Sequence, residues 1–183
     1  MKTINVELTG VTPLLMNSPK AMLTAQSSTR STLSKPDPKV EAEEKAYRNS
    51  KGMLYIPATA IFSAMLNGSS FKKAGKYSLR PILSGNVRVE PDEVLLGTKD
   101  YELDIRTAVI AQGKKKNRII RARPRIPDWK VSFQIIFNEQ AIGDPEIIKG
   151  CLADAGYRVG LLDFAPRNNG SFGTFKVTKF EVK

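Results

Sequence analysis

The chain has 183 residues, of which 41% are hydrophobic and 26% charged, a composition typical of a globular protein with one sizeable core. It contains no histidine and one cysteine, Cys151, so an internal disulfide, a zinc site and a nucleophile activated by histidine are excluded. The formal net charge of +11 favours a polyanionic partner, and no apolar run approaches the ~20 residues that span a bilayer. We therefore expect a cytoplasmic protein that makes no contact with membranes.

The first third of the chain predicts a strand, an insertion and two helices. Residues 2–9 alternate apolar and polar side chains, as a half-buried strand does. Residues 17–38 are rich in Ser, Thr, Lys and Pro, and they predict a mobile insertion because so few apolar groups cannot offset the entropy of ordering. A short helix opens at Pro38 after Asp37, and a second helix starts at Pro57.

The remainder of the chain predicts further strands around one more helix. A strand is expected over 83–90, and residues 129–137 give the strongest core-strand signal because large apolar side chains recur at every second position. The helix that follows ends at Gly156, and a glycine-rich loop over 160–173 leads to the last strand at 174–182. We expect a single domain that spans the whole chain.

Residues 104–130 carry the strongest functional signal. From Arg106 onward this stretch holds nine Lys or Arg residues against one acid, Asp128. Alternating patterns on both sides of a Gly-Lys-Lys-Lys-Asn tip predict a basic β-hairpin over about 104–126. On its second strand, one face carries three guanidinium groups, those of Arg121, Arg123 and Arg125.

A cationic hairpin presents bases where the backbone of a nucleic acid can reach them. The alternative is a solvated edge that protects an exposed strand, with some charge used in cross-strand pairs, since a turn near 114 and 115 would place Asp104 opposite Arg125. One acid cannot neutralise nine bases, and this favours nucleic acid. The candidate binding residues are Arg106, Lys114, Lys115, Lys116, Arg118, Arg121, Arg123, Arg125, Arg167, Gly170 and Gly173.

The last two candidates belong to the glycine-rich loop. Gly170 and Gly173 allow backbone conformations in which exposed N–H groups can bind phosphate without charged side chains. A long connection between the last helix and the last strand explains the same glycines equally well.

Three separated stretches resemble the RAMP superfamily of CRISPR-associated proteins. The first strand runs into Gly10-Val-Thr-Pro-Leu-Leu15, which is similar to the family's turn with Pro-Leu. Tyr55-Ile-Pro-Ala-Thr-Ala-Ile-Phe-Ser-Ala64 is similar to the family's Ile-Pro-Gly-Ser-Ser-Leu-Lys-Gly helix start. Gly170-Ser-Phe-Gly-Thr-Phe-Lys-Val177 is similar to its glycine-rich loop and the strand after it.

The resemblance implies an α+β, RRM-like or ferredoxin-like domain. Its antiparallel sheet would carry helices on one face, and the basic hairpin would project as the family's thumb. The resemblance also implies that the modified RRM-like sheet binds a nucleic-acid strand and that copies assemble head to tail along it. Short proteins similar to this chain resemble phage products, and this favours a phage-encoded relative of the family.

The leading hypothesis is a non-enzymatic protein that binds single-stranded DNA or RNA through its phosphates, with little sequence preference and without a cofactor or metal. Tyr101, Phe164 and Phe172 are candidates for stacking on bases, although such aromatic residues belong more often to the core. A second hypothesis is a backbone subunit of a CRISPR effector, or a mimic of one that acts as an anti-CRISPR, with effector subunits as its partners.

A third hypothesis is a metal-dependent nuclease. Asp100, Glu102 and Asp104 stand at alternate positions, so one face of a strand would offer three carboxylates to Mg²⁺. An acidic face paired with neighbouring arginines explains the same pattern, and we prefer that interpretation because no histidine accompanies the three acids.

Overall fold

The centre of the molecule is a four-stranded antiparallel sheet, in a computed structural model that describes residues 1–20, 22, 37–74, 77–112 and 115–183. The strands lie in the order β11 (Phe175–Val182), β1 (Lys2–Gly10), β10 (Lys130–Phe137) and β6 (Val87–Glu90). This is the strand order of a ferredoxin-like α+β fold, so the predicted fold class is confirmed.

The two central strands owe their position to their alternating sequences. Ile4 faces Ile135 and Val6 faces Phe133 across the pairing of β1 with β10, and all four side chains are buried. Apolar side chains at alternate positions bury one face of a strand, which is why the sequence located both strands correctly.

Two helices, α2 (Ala58–Gly68) and α5 (Glu146–Arg158), cover the apolar face of the sheet, and both depend on glycine for close packing. A Cβ atom at Gly68 would collide with the carbonyl oxygen of Cys151, and one at Gly156 with that of Phe175. The prediction that Gly156 ends the helix is therefore wrong. The helix continues to Arg158, and the glycine lets it approach β11.

Shorter elements connect this framework. The helix predicted after Asp37 is confirmed, since the Asp37 side chain accepts a hydrogen bond of 2.8 Å from the Lys39 N–H. The strand predicted over 83–90 is partly wrong, because a helix runs to Asn86 and the strand starts only at Val87. The short elements are β2 (Leu14–Leu15), α1 (Pro38–Lys45), β3 (Tyr55–Pro57), β4 (Lys73–Ala74), β5 (Tyr77–Ser78), α3 (Leu79–Asn86), β7 (Glu93–Leu95) and α4 (Glu139–Ile142), with 3₁₀ turns at Ser69–Phe71 and Pro166–Asn168.

The predicted hairpin is formed by β8 (Glu102–Gln112) and β9 (Lys115–Ile126), with β2 paired to the other edge of β9. The pairing runs without interruption until Gln112 faces Lys115. Asp104 therefore faces Arg123, and the expected pairing of Asp104 with Arg125 is wrong by two residues. The sequence offered several adjacent lysines for the turn. The observed register is centred one residue earlier in the chain than that estimate, so each residue of β8 faces a partner two residues earlier on β9.

Helix α1 holds the base of the hairpin through a buried ion pair. The Lys45 ammonium lies 2.5 Å from a Glu41 carboxylate oxygen, and both side chains are about nine-tenths buried. Beyond β2, the N–H and C=O of Ala122 on the edge of β9 have no neighbouring strand to pair with. Glu41 accepts a hydrogen bond of 3.0 Å from that N–H, and Lys45 donates one of 3.0 Å to that C=O. Two helix side chains thus satisfy a strand edge that would otherwise be buried without partners.

This pair, which we call the edge clip (Glu41 and Lys45), has perturbed acidity. Burial opposes the ionisation of Glu41, but the hydrogen bonds from Lys45 and from the Ala122 N–H outweigh it and hold the pKa of Glu41 below its ordinary 4.5. Burial lowers the pKa of Lys45, against the attraction of Glu41. The carboxylate is therefore charged over the whole neutral range.

The predicted insertion at 17–38 falls largely on residues 21 and 23–36, which lie outside the described residues. Ser18, where it begins, is buried and donates its N–H to the carbonyl oxygen of Lys45 at 2.8 Å. Within the described ranges, no helix is long and apolar enough to cross a membrane.

Adding one methyl group at each of two helical glycines tests the close packing. We expect Gly156→Ala to lower the free energy of unfolding by about 2 kcal/mol, because the Cβ atom meets the carbonyl of Phe175. Gly85→Ala in α3 is the matched control, since its Cβ atom meets nothing within 4 Å. It should raise stability by about 0.5–1 kcal/mol. Urea unfolding measures both, and equal effects of the two changes would refute the packing role of Gly156.

Removal of the charge on Glu41 tests the edge clip. We expect Glu41→Gln to cost about 3 kcal/mol of unfolding free energy at pH 7, because Lys45 is left buried without a counter-ion. A carboxyl whose pKa is lowered in the folded state stabilises it above pH 4.5 and loses that effect as pH falls through the folded pKa. The difference between wild type and variant should therefore shrink below pH 4.5.

Denaturant unfolding at several pH values checks this prediction. Glu146→Gln is the control, since it breaks only an exposed ion pair with Lys149 and should change stability by less than about 1 kcal/mol. A difference between wild type and Glu41→Gln that stayed constant from pH 7 to pH 3 would contradict the role assigned to Glu41.

Candidate nucleic-acid interface

The hairpin has a charged face at its base, and four arginines on that face are paired with the protein's own carboxylates. Directly opposite residues share one face in an antiparallel pair, which places β8 acids among β9 arginines. The pairs are Arg106 with Asp104 (2.7 Å), Arg121 with Glu41 (3.2 Å), Arg123 with Asp163 (2.5 Å) and Arg125 with Glu102. The expectation that one acid faces nine bases is therefore wrong, because α1, β8 and the C-terminal loop supply further acids.

These four arginines differ in exposure. Arg123 is only 8% exposed, so it belongs to the structural support of the hairpin. Arg121 donates to Glu41 of the edge clip, yet its side chain remains 36% exposed. The side chain of Arg106 is 43% exposed, and that of Arg125 is 31% exposed. Of the predicted contacts at the base, Arg106, Arg121 and Arg125 are therefore the ones that a ligand can reach, whereas Arg123 is covered.

The far end of the hairpin has a different charge balance. From Thr107 to Ile120 the sequence contains four bases and no acid. Three of the bases occupy strand positions on β9, where Lys115, Lys116 and Arg118 face Gln112, Ala111 and Val109. Lys114 and the side chains of the other three lie outside the described residues. The carboxylates that neutralise the arginines at the base thus have no counterpart in the sequence of the far end.

The second face of the hairpin carries large apolar side chains that are exposed to solvent. Leu103 is 38% exposed, Ile105 51% and Ile120 57%. Thr107 lies directly opposite Ile120, so these side chains form one continuous aliphatic stripe. Exposed aliphatic groups of this size that adjoin one another commonly mark a contact surface.

A cleft of about 520 Å³ lies between the base of the hairpin and the C-terminal loop. The guanidinium of Arg106 lies over the ring of Phe172, with 4.5 Å between its central carbon and the ring centroid. The cleft is lined by Thr12, Pro13, Glu102, Leu103, Asp104, Arg106, Arg125, Ser171 and Phe172. Thr12 and Ser171 were not among the predicted site residues, since a hydroxyl in a loop carries no sequence signal of its own.

The glycine-rich loop does not offer the expected phosphate-binding N–H groups. The Gly170 N–H donates to the carbonyl of Ala165 (3.1 Å), and the Gly173 N–H donates to that of Pro13 (2.8 Å). A side chain at Gly170 would collide with the carbonyl of Phe164. The glycines therefore serve the folding of the loop, while the exposed Arg167 beside them is the loop's accessible cation.

Each of the three aromatic candidates already carries an arginine on its ring. Arg48 lies 5.5 Å from the ring centroid of Tyr101, and Arg123 lies 4.8 Å from that of Phe164, as Arg106 does over Phe172. Burial and the hydrogen bond from its hydroxyl to Glu43 raise the pKa of Tyr101 to about 12. Tyr101 and Phe164 are thus held by structural contacts, and Phe172 is the aromatic residue that reaches a cleft.

The open face of the sheet does not resemble a base-stacking platform. Side chains of β1, β6, β10 and β11 that point away from the helices are polar or aliphatic, and none of those described is aromatic. Three ion pairs lie on this face. Lys130 pairs with Glu7 between two strands, while Arg88 with Glu90 and Lys179 with Glu181 pair within single strands. Binding of a strand by stacking on the sheet, which the family resemblance implied, has no support in this arrangement.

The three carboxylates considered for metal binding do not come together. Asp100 precedes β8, while Glu102 and Asp104 each form an ion pair with an arginine. Over the part of the chain that the structure describes, no group of three acidic, cysteine or histidine side chains is placed to hold a metal ion.

No protein-family model and no curated protein matches the sequence. Among solved structures, the chain is similar to a chain in the cryo-EM structure of the type III-B Cmr-beta bound to cognate target RNA, with a TM-score of 0.65 and 19% sequence identity. The similarity covers 99% of this chain and 60% of that one, so this protein spans about three fifths of the length of its structural neighbour. This likeness shows the fold, an α+β domain with the ferredoxin-like strand order β11-β1-β10-β6.

Proposed function

We propose that this protein binds single-stranded nucleic acid, RNA in the first instance, and grips its phosphates with the far end of the β8–β9 hairpin without catalysing a reaction. The observation that carries the proposal is the division of charge along the hairpin. Its base is neutralised and fixed by carboxylates, whereas residues 107–120 hold four bases and no acid. Such a segment attracts a phosphate backbone irrespective of sequence.

The aliphatic stripe and the cleft support a single strand over a duplex. An unpaired strand exposes base faces, which apolar side chains such as Ile105 and Ile120 can contact while cations hold the backbone. Ser171 and Arg106 give the cleft hydrogen-bonding groups beside the ring of Phe172, while the Thr12 hydroxyl is bonded to Thr174. RNA is preferred over DNA because the structural neighbour was solved with target RNA.

A second candidate function follows from the same fold likeness. The chain would act with CRISPR effector subunits in the cytoplasm, either as a backbone subunit that assembles along the strand or as a phage-encoded mimic that blocks assembly. The similarity to a chain of type III-B Cmr-beta favours this candidate. Co-purification of effector subunits that survives nuclease treatment would support it, whereas recovery of nucleic acid alone would favour the simpler binding role.

Neutralising the tip tests the proposed function. We expect the combined change of Lys114, Lys115, Lys116 and Arg118 to Gln to weaken binding to single-stranded RNA. It should also reduce the slope of log K against log salt by up to about 3, since each lost phosphate contact removes about 0.7. The control changes four other exposed bases to Gln: Lys39, Lys51, Lys99 and Lys183.

Fluorescence anisotropy with labelled RNA and DNA, single- and double-stranded, measures these slopes. The control removes the same charge as the tip variant but leaves the tip intact. It should therefore keep a slope close to that of wild type. Equal slopes for the two variants would reduce the proposal to a general charge effect. Cleavage of RNA that required Mg²⁺ and vanished in Asp104→Ala would instead revive the nuclease hypothesis.

A further inference from the structure

A second buried ion pair joins the hairpin to the C-terminal loop. The Arg123 Nε lies 2.5 Å from an Asp163 carboxylate oxygen, and the guanidinium carbon lies 4.8 Å from the centroid of the Phe164 ring. The side chain of Arg123 is nine-tenths buried. Neither its Nε nor its Nη1 makes an aligned hydrogen bond, so charge and ring stacking hold the contact.

The loop adopts a costly backbone to make this contact. Leu162 has φ of 59° and Phe164 has φ of 49°, so residues with side chains on both sides of Asp163 lie in the left-handed region. Such conformations persist only where the surroundings enforce them, and they concentrate at places with a specific task.

A backbone hydrogen bond also connects this loop to the sheet that contains the hairpin. The Asp163 N–H donates to the carbonyl of Leu15 at 3.1 Å, and Leu15 pairs with Arg125 of β9. The Phe172 N–H donates to the carbonyl of Phe164 at 3.0 Å, which places the ring under Arg106 in the cleft. A displacement of Asp163 would therefore move both the hairpin base and the wall of the cleft.

We propose that Arg123 and Asp163 are positioning residues that fix the direction of the hairpin relative to the C-terminal loop. The tip and the cleft then meet the same strand together, although neither residue touches it. This inference rests on the proposed function. It reassigns Arg123, which the sequence pattern suggested as a phosphate contact, to a role that a salt titration and a distance measurement can separate from direct binding.

The first experiment measures the hairpin in the free protein. Spin labels at Thr107→Cys on β8 and Tyr157→Cys on α5, both exposed positions, report the distance between hairpin and helix in a Cys151→Ala background. We expect a narrow distribution in the labelled parent and a broader or shifted one with Asp163→Asn. Glu102→Gln is the matched control, because it breaks an exposed ion pair at the same base and should leave the distribution unchanged.

If Asp163→Asn does not fold, as circular dichroism will show, Arg123→Lys takes its place, since it retains the charge but loses the planar group that stacks on Phe164. Folded variants that keep the distribution of the parent would overturn the proposal.

The second experiment measures binding of single-stranded RNA over a salt series. We expect Asp163→Asn and Arg123→Lys to weaken affinity roughly 2- to 30-fold, in the range by which residues outside a site alter coupling to it. The slope of log K against log salt should stay that of wild type. A slope lower by about 0.7 with Arg123→Gln would show that Arg123 contacts a phosphate, and would overturn the positioning role. If wild type binds no nucleic acid, the proposed function fails, and the distance measurement still decides whether the pair orients the hairpin.

Discussion

The hairpin keeps its place because a helix completes the edge of a strand. β2 covers only two residues of β9, and beyond it the buried backbone of Ala122 would lack partners. The edge clip supplies one acceptor and one donor from successive turns of α1, and its two charges neutralise each other. A buried pair of this kind adds little net stability compared with apolar residues. We infer that its value lies in specificity, because the helix must be placed so that both backbone groups of Ala122 are satisfied at once.

The clip, together with the Arg123–Asp163 pair, marks the part of the arginine-rich segment whose charge the fold neutralises. Near the base, carboxylates from α1, β8 and the C-terminal loop neutralise the arginines, and that region supports the hairpin. Farther out, the sequence provides bases with no acid beside them. A basic segment can therefore be neutralised by distant acids over one half, while the sequence of its other half offers no acid.

This division explains how far the sequence could be interpreted. The core strands were predictable because Ile4, Val6 and Phe133 belong to local alternations, and the N-cap at Asp37 is likewise a local signal. The partners of the arginines were not, since Glu41 lies 80 residues from Arg121 and only the fold brings them together. The helix over 79–86 was missed because the alternation at Val87 and Val89 was extended backward through Leu83. Gly156 was misread because a helix stop and a close helix–strand contact require the same residue.

The burial of the Arg123–Asp163 pair has a consequence for how a bound strand would be released. Ions in solution screen exposed charges strongly and buried ones weakly. Under the proposed function, a rise in ionic strength would thus detach the nucleic acid from the lysines at the far end of the hairpin, while the buried pair keeps the hairpin aligned. Binding and release of the strand could then be repeated without refolding. Protein freed of nucleic acid in concentrated salt would bind a new strand on dilution.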